Sequence, residues 1–496
     1  MNNNEKYFKM YIFVFFTIYA FLLLLFCSGA SPLIKEIFGD NGYYIYNGRW
    51  IQSGNLPYVN FPDTVCKGIY MWFVNYIGTI ITPQSFLGNY IIESIFKSID
   101  LCLAYCIFNV YFNDKKKSIF ASLLFFLILV SRPCYVFGNQ CEQYQLTGFL
   151  ITILILSKYN QKKLTNYNYE FPMKYMFVIG MSFSFIIGFK MNYILPFIPI
   201  AIIIVGDMII RKKYLLALKN IVGGIIGVIF AGLPGYIYLM KNNLMEKFYE
   251  RCYLQVVNEY SQPIDIKYIF KFLFSIKTVW LFPLLISSFI LIFNSKIIVK
   301  INKIIYSFML VFALIACIMA GHIWSIYYYQ LYPYLLPFIY YFIVILNKKI
   351  INNYSLIKLL AVFILSIVFN MNYILIHVPG FDIGSTFDAM ETFNEFSKKI
   401  DNKIDIVDYK IYSAHPQFYV LMNKTGSHLK YVYYPNTHEF INNVETSIKS
   451  LENDVLLLDE QQIIEYNIDD LLSQYYNLEC ENKKWHFKCY IKKRYY

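Results

Sequence analysis

The chain has 496 residues, of which 57% are hydrophobic, 20% aromatic and only 15% charged, where soluble domains carry roughly 25% charged residues. A mean hydropathy of +0.44 at 58.8 kDa leaves too little polar surface for a soluble or disordered chain, and both classes are excluded. The net charge of +12 is not gathered into a basic patch on a readable nucleic-acid motif, so no nucleic-acid partner is expected and the charge needs a membrane explanation.

A membrane span takes about 20 mostly apolar residues. The first such run, 10–29, is long for a signal peptide and lacks an A-x-A cleavage pattern, so it is read as a span. After it comes an outer loop, 30–86, that is neither apolar enough to span nor featureless. Asp40 stands at its membrane exit, an amphipathic aromatic helix follows over 43–52, Gly54, Asn55 and Pro57 turn the chain, and Asp63 and Lys67 precede a short apolar run at 69–81. That run leads into Thr82, Pro83 and Gln84 and is read as a helix lying on the outer interface. Ten more apolar runs follow at 87–112, 118–137, 143–158, 175–190, 192–210, 217–240, 278–295, 304–321, 327–347 and 355–377. The expected fold class is therefore an α-helical polytopic membrane protein with about 11 transmembrane helices.

With the N-terminus cytoplasmic, nineteen Lys and Arg fall on the inner side and eleven in outer loops, the bias of the positive-inside rule. An odd number of crossings makes the C-terminal part extracytoplasmic. Its composition shifts to mixed apolar and polar positions, and the chain divides into a membrane domain, 1–380, and a small α/β domain, 381–496. Strands are expected at 404–413, 429–435 and 454–459, with amphipathic stretches near 418–422, 440–451 and 463–476. Cys480 and Cys489 flank a hairpin, and either a bridge or two unpaired thiols fits there. The six His show no ligand spacing, so no metal site is expected, and no Walker A or G-x-G-x-x-G element supports a nucleotide cofactor.

The first outer loop reads D-x-x-Y-Y-x-Y-x-G-R-x-x-x-x-G-x-x-P-Y-x-x-F-x-D from Asp40 to Asp63, followed by Lys67 and Gly68. In this pattern it resembles the corresponding loop of bacterial GT-C glycosyltransferases, the superfamily of the protein O-mannosyltransferases and the lipid A aminoarabinose transferase. Three later stretches agree in order: GNQCEQYQL at 138–146, NLMEKFYERCYLQVVNEYS at 243–261 and GHIWSIYYYQLYPYLLP at 321–337. The chain departs in carrying Asn41 where many relatives have a second carboxylate, and Asp63-Thr64-Val65-Cys66-Lys67-Gly68 where many read D-x-K-G-P.

The resemblance implies transfer of a sugar from a polyprenyl-phosphate carrier to a glycan, glycolipid or protein hydroxyl on the outer side of the cell membrane. A phosphate leaving group needs no general acid, unlike glycoside hydrolysis with its two carboxyls, so one base suffices. Asp40 is the candidate base, with inversion at the sugar carbon. Arg49, Lys67, Arg132, Lys190 and His322 are candidates to bind the phosphate, Asp63 lies in the same loop, and Glu142 is placed to orient the acceptor or to pair with Arg132. Each has a plainer reading: solvated loop carboxylates, headgroup pairing or snorkelling for the cations, and interfacial belt positions for Tyr327, Tyr328 and Tyr329. Glu93, Lys97 and Asp100 share one face of the second span and are expected to form an internal ladder. The alternatives are a polysaccharide or lipid-linked oligosaccharide flippase or transporter, which would show repeat symmetry and broken helices at the midplane, and an O-antigen-type polymerase, whose large functional loop would come late.

Overall fold

A computed structural model describes residues 3–28, 30–31, 40–59, 67–82, 86–130, 138–254, 266–273, 281–319, 325–347, 398–400, 411–413, 448–449, 454–465, 467–482 and 487–493. Helix α1 (Asn3–Leu24) precedes α2 (Asp40–Gln52) and α3 (Ile69–Ile81), which lie in the 30–86 segment. The bundle continues with α4 (Leu87–Phe112), α5 (Lys115–Val130), α6 (Cys141–Thr165), α7 (Met173–Phe189), α8 (Ile198–Ile210), α9 (Tyr214–Lys241), the short α10 (Met245–Tyr249), α11 (Ile266–Leu273), α12 (Leu281–Asn294), α13 (Lys300–Met319) and α14 (Leu336–Asn347). Where they fall within the described residues, ten of the eleven apolar runs lie on these helices and the 3₁₀ turns that join them; the run at 355–377 and the strand expected at 429–435 are outside the described residues.

Tyr193–Ile210, Tyr214–Lys241 and Lys300–Met319 are long and apolar enough to cross a membrane. Helices α4 and α6 miss that mark because polar groups interrupt them, and those groups are buried: Glu93, Lys97 and Asp100 in α4, Glu142, Gln143 and Gln145 in α6. Charge in a span is tolerated where it faces the protein interior. In α9 the pattern is reversed, with Leu218, Ile221, Ile225, Ile229, Leu233 and Ile237 exposed as a lipid-facing row. Its other side meets α7 backbone to backbone. A methyl group at Gly180 would collide with the Gly224 carbonyl, and one at Gly227 with the Phe177 carbonyl, so glycine is what lets these helices approach.

Two 3₁₀ runs, Met191–Phe197 and Ser325–Leu335, lead directly into α8 and α14. Such runs are normally three or four residues long. Each contains a proline, Pro196 and Pro333, whose ring clashes with the carbonyl four residues back in an α-helix and favours the tighter winding.

The C-terminal part forms a mixed sheet of β1 (Ile411–Ser413), β2 (Val455–Asp459), β3 (Tyr476–Asn482) and β4 (Phe487–Lys492), in the order β1-β2-β4-β3. β1 runs parallel to β2, while β4 is antiparallel to both β2 and β3. Helices α15 (Glu460–Glu465) and α16 (Asp469–Tyr475) occupy the amphipathic stretch near 463–476. Leu456 and Leu458 pack with Ile463, Ile468, Leu472 and Tyr490 as a small core, and Val455 and Leu457 on the other sheet face are buried too. Cys480 and Cys489 stand opposite each other across the β3–β4 hairpin as buried free thiols. The hydrogen bond between them, together with burial, pushes the Cys489 thiol well above its ordinary range.

Candidate active site

The site is built at the ends of α6 and α7, where both enter the first outer loop's surroundings. Gln140 caps α6 through a reciprocal pair with Gln143, which sets the first turn and with it Glu142. Glu142 is only 3% exposed, and its Oε1 accepts a hydrogen bond from Lys190 Nζ at 2.8 Å. Lys190 follows α7 in extended conformation and is 4% exposed. Gln145, one turn beyond Glu142, donates its amide to the carbonyls of Ile186 and Lys190 at 2.8 and 2.7 Å, pinning the last turn of α7 against α6.

Two tyrosines from the 3₁₀ runs complete the Lys190 environment. Its Nζ lies 4.4 Å from the centre of the Tyr327 ring and 5.8 Å from that of Tyr193. The Tyr193 hydroxyl lies 3.4 Å from Glu142 Oε1. Ring faces of this kind stabilise a partly desolvated ammonium.

Lys67 precedes α3, and its charge acts on Glu142 as well. Its ammonium lies 5.1 Å from the Tyr44 ring on α2, one helical turn past Asp40. The Lys67 carbonyl accepts hydrogen bonds from the Tyr58 hydroxyl at 2.9 Å and from Cys252 Sγ at 3.2 Å, which fixes this cation's backbone between the first and a later outer segment. Burial pushes the Tyr58 hydroxyl well above its ordinary range. Arg49 is 6% exposed on α2, and burial pulls its guanidinium down to about 10, so it remains charged at neutral pH.

Of the residues singled out from sequence, Glu142, Lys190 and Lys67 are brought together, while Arg49 is buried in the loop helix that Lys67 touches. Asp40 opens α2. Asp63, Arg132 and His322 lie outside the described residues. Among the described residues Glu142 forms its ion pair with Lys190, a pairing the sequence does not announce. Tyr193 and Gln145 were also missed, although each had a signal: Tyr193 is three residues after Lys190, and Gln145 three after Glu142. Among the described residues no three His, Cys, Asp or Glu side chains converge as a metal site.

Of the internal ladder expected on α4, the Lys97–Asp100 rung is present and reaches a second helix, whereas the Glu93 carboxylate accepts from Ser28 and Asn139 instead. Lys97 Nζ bonds Asp100 at 2.8 Å and the Gln143 carbonyl at 3.0 Å, and Asp100 accepts from the Thr147 hydroxyl at 2.6 Å. The ladder therefore ties α4 to the first two turns of α6.

No protein-family model and no curated protein sequence matches the chain. Solved structures do. ArnT from Cupriavidus metallidurans in the apo state superposes with a TM-score of 0.59 at 10% identity, over 96% of this chain and 97% of that one. The same protein bound to undecaprenyl phosphate gives 0.58 at 10% identity, over 99% and 98%. A slighter overlap, TM-score 0.47 at 11% identity, is found with the oligosaccharyltransferase AglB from Archaeoglobus fulgidus over 99% of this chain and 75% of that one, too weak to build on. Over nearly its whole length the chain thus shares the fold of ArnT.

Proposed function

We propose that the protein is a GT-C-type membrane glycosyltransferase that moves a sugar from a polyprenyl-phosphate carrier to the hydroxyl of a cell-surface glycan, glycolipid or protein on the outer side of the membrane. The observation that carries this reading is the buried Glu142–Lys190 pair, flanked by Lys67 and two tyrosine rings, where the outer loop meets the bundle. An ArnT of the same fold binds undecaprenyl phosphate, which supports a lipid-phosphate donor here.

In this reading Asp40 accepts the proton of the acceptor hydroxyl as its oxygen attacks C1 of the sugar. The C1–O bond to phosphate breaks, its electron pair leaves with the polyprenyl phosphate, and the carbon inverts. General base assistance contributes roughly 10²–10⁴-fold. Lys190 holds Glu142 through one N–H, and its ammonium charge stabilises the departing phosphate. Glu142 keeps that ammonium charged and aimed, and Lys67 and Arg49 add positive field from the loop. Such preorganised charge acts most strongly where water is excluded. Asp63, Arg132 and His322 remain candidates for the same anion.

The membrane part, 1–380, is assigned eleven crossings with a cytoplasmic N-terminus, and the α/β part, 381–496, lies outside. Lysines at the α4–α5, α8–α9 and α12–α13 turns and at the end of α6 share the inner side, opposite the Glu142–Lys190 end of α6 and α7.

The test is purified protein in lipid with a panel of polyprenyl-phosphate sugars. Asp40→Asn is expected to lower turnover by about 10²-fold or more; unchanged turnover would remove Asp40 as the base.

A further inference from the structure

Glu93 is 1% exposed inside the bundle, on a helix distant in sequence from both Asp40 and Glu142, and nothing in the proposed chemistry uses it. Its two carboxylate oxygens nevertheless hold the two segments that lead to those acids. Oε2 accepts the Ser28 hydroxyl at 2.5 Å, just past α1 and ahead of the loop that reaches Asp40. Oε1 accepts the Asn139 backbone N–H at 2.9 Å, three residues before Glu142.

The turn it grips is specialised. Gly138 has φ +81° and Asn139 φ +50°, both left-handed, and a methyl group at Gly138 would collide with the Glu93 carboxylate. Glycine therefore leaves room for the carboxylate as well as permitting the backbone. Asn139 is held a second time: its Nδ2 donates to Asn75 Oδ1 at 2.9 Å and its Oδ1 accepts the Tyr144 hydroxyl at 2.8 Å. Asn75, on α3, also accepts from Asn89 Nδ2 at 2.8 Å. α3, α4 and the segment after α1 thus converge on one turn, and that turn launches the helix bearing Glu142.

We infer that Glu93 is a positioning residue: its carboxylate anchors the 138–139 turn and so holds Glu142 against Lys190. This rests on the reading of Glu142 and Lys190 as part of the active site, but its test does not need turnover. Lys190 is shielded by its pairing, so its rate of modification by a small amine-reactive reagent, read by mass spectrometry on the full-length protein in lipid, reports whether Glu142 is in place. Lys163, buried at the far end of α6 and bonded to the Tyr169 carbonyl at 3.0 Å, reports general loosening of the same helix.

Glu93→Gln keeps the shape but weakens both grips, and Gly138→Ala displaces the carboxylate without removing it. Each is expected to raise Lys190 modification by about tenfold, a local opening, to match the rise in Glu142→Gln, and to leave Lys163 unchanged. In the Glu142→Gln background Glu93→Gln should add nothing further. If Glu142→Gln exposes Lys190 and neither Glu93→Gln nor Gly138→Ala does, the inference is overturned. It is equally overturned if Lys163 rises in step with Lys190 in both variants, or if neither variant folds, because Glu93 then serves the fold alone. Turnover measured alongside separates the two levels: kcat falling with Lys190 exposure supports both, whereas exposed Lys190 with full turnover leaves the positioning intact and removes the pair from the catalytic reading.

Discussion

Lys190 and Glu142 illustrate how much a single buried pair commits a membrane protein to one arrangement. Two charges are taken out of water, and their attraction offsets that cost only because the geometry is tight and other donors are present. Removing one partner leaves the other stranded. Lys190→Met is therefore expected to destabilise the protein by about 3–5 kcal/mol, and Glu142→Gln combined with Lys190→Met to recover most of that loss, as measured by unfolding in mixed micelles. A double variant whose loss is the sum of the two single losses would show that the two side chains are not coupled. Glu142 and Lys190 stand out in the sequence as charges at the edges of apolar runs, but 48 residues separate them, and no local spacing rule joins such a pair.

At the scale of elements, apolar runs translated well into helices because in a bilayer every backbone group must be satisfied within its own segment. The helix on 69–81 and the aromatic helix over 43–52 were legible from their local pattern of apolar and aromatic residues between turn-forming Gly, Asn and Pro. The two 3₁₀ runs were not: Pro196 and Pro333 mark a break in α-winding, but whether the chain kinks, stops or tightens depends on what packs beside it. These runs present Tyr193 and Tyr327 to Lys190, so the least readable backbone carries part of the site. The close approach of α7 and α9 gives a sharper test. Gly227→Ala pushes a methyl group into the Phe177 carbonyl and is expected to cost about 1–3 kcal/mol through forced separation of the helices. The control Gly206→Ala, at a glycine with open space around it, should be neutral or slightly stabilising.

For the whole molecule, orientation follows from where the lysines lie, and it is a claim about both ends of the chain at once. In intact cells Asp40→Cys and Lys430→Cys should label with a membrane-impermeant maleimide, while Lys162→Cys and Lys212→Cys should label only after permeabilisation. Labelling of Lys430→Cys and Lys162→Cys from the same side would break the eleven-crossing arrangement. The likeness to ArnT over almost the full length of both chains at 10% identity indicates that the fold tolerates near-complete replacement of its residues. Function must accordingly be argued from the site rather than from the fold.

Composition and hydrophobic run length by themselves determined that this is a multi-helical membrane protein with a long loop after its first apolar run and a different C-terminal part, because those properties depend on residue totals and local periodicity. Hydrophobicity says which segments leave water, and it is indifferent to which polar group each one meets afterwards. Only the tertiary structure decided that Glu142 pairs with Lys190, that Lys67 lies close enough for its charge to act on Glu142, and that Glu93 reaches past its own helix to Ser28 and Asn139. Those contacts join residues 46 to 65 positions or more apart, and in a low-dielectric interior each is set by the one geometry that leaves no buried charge alone.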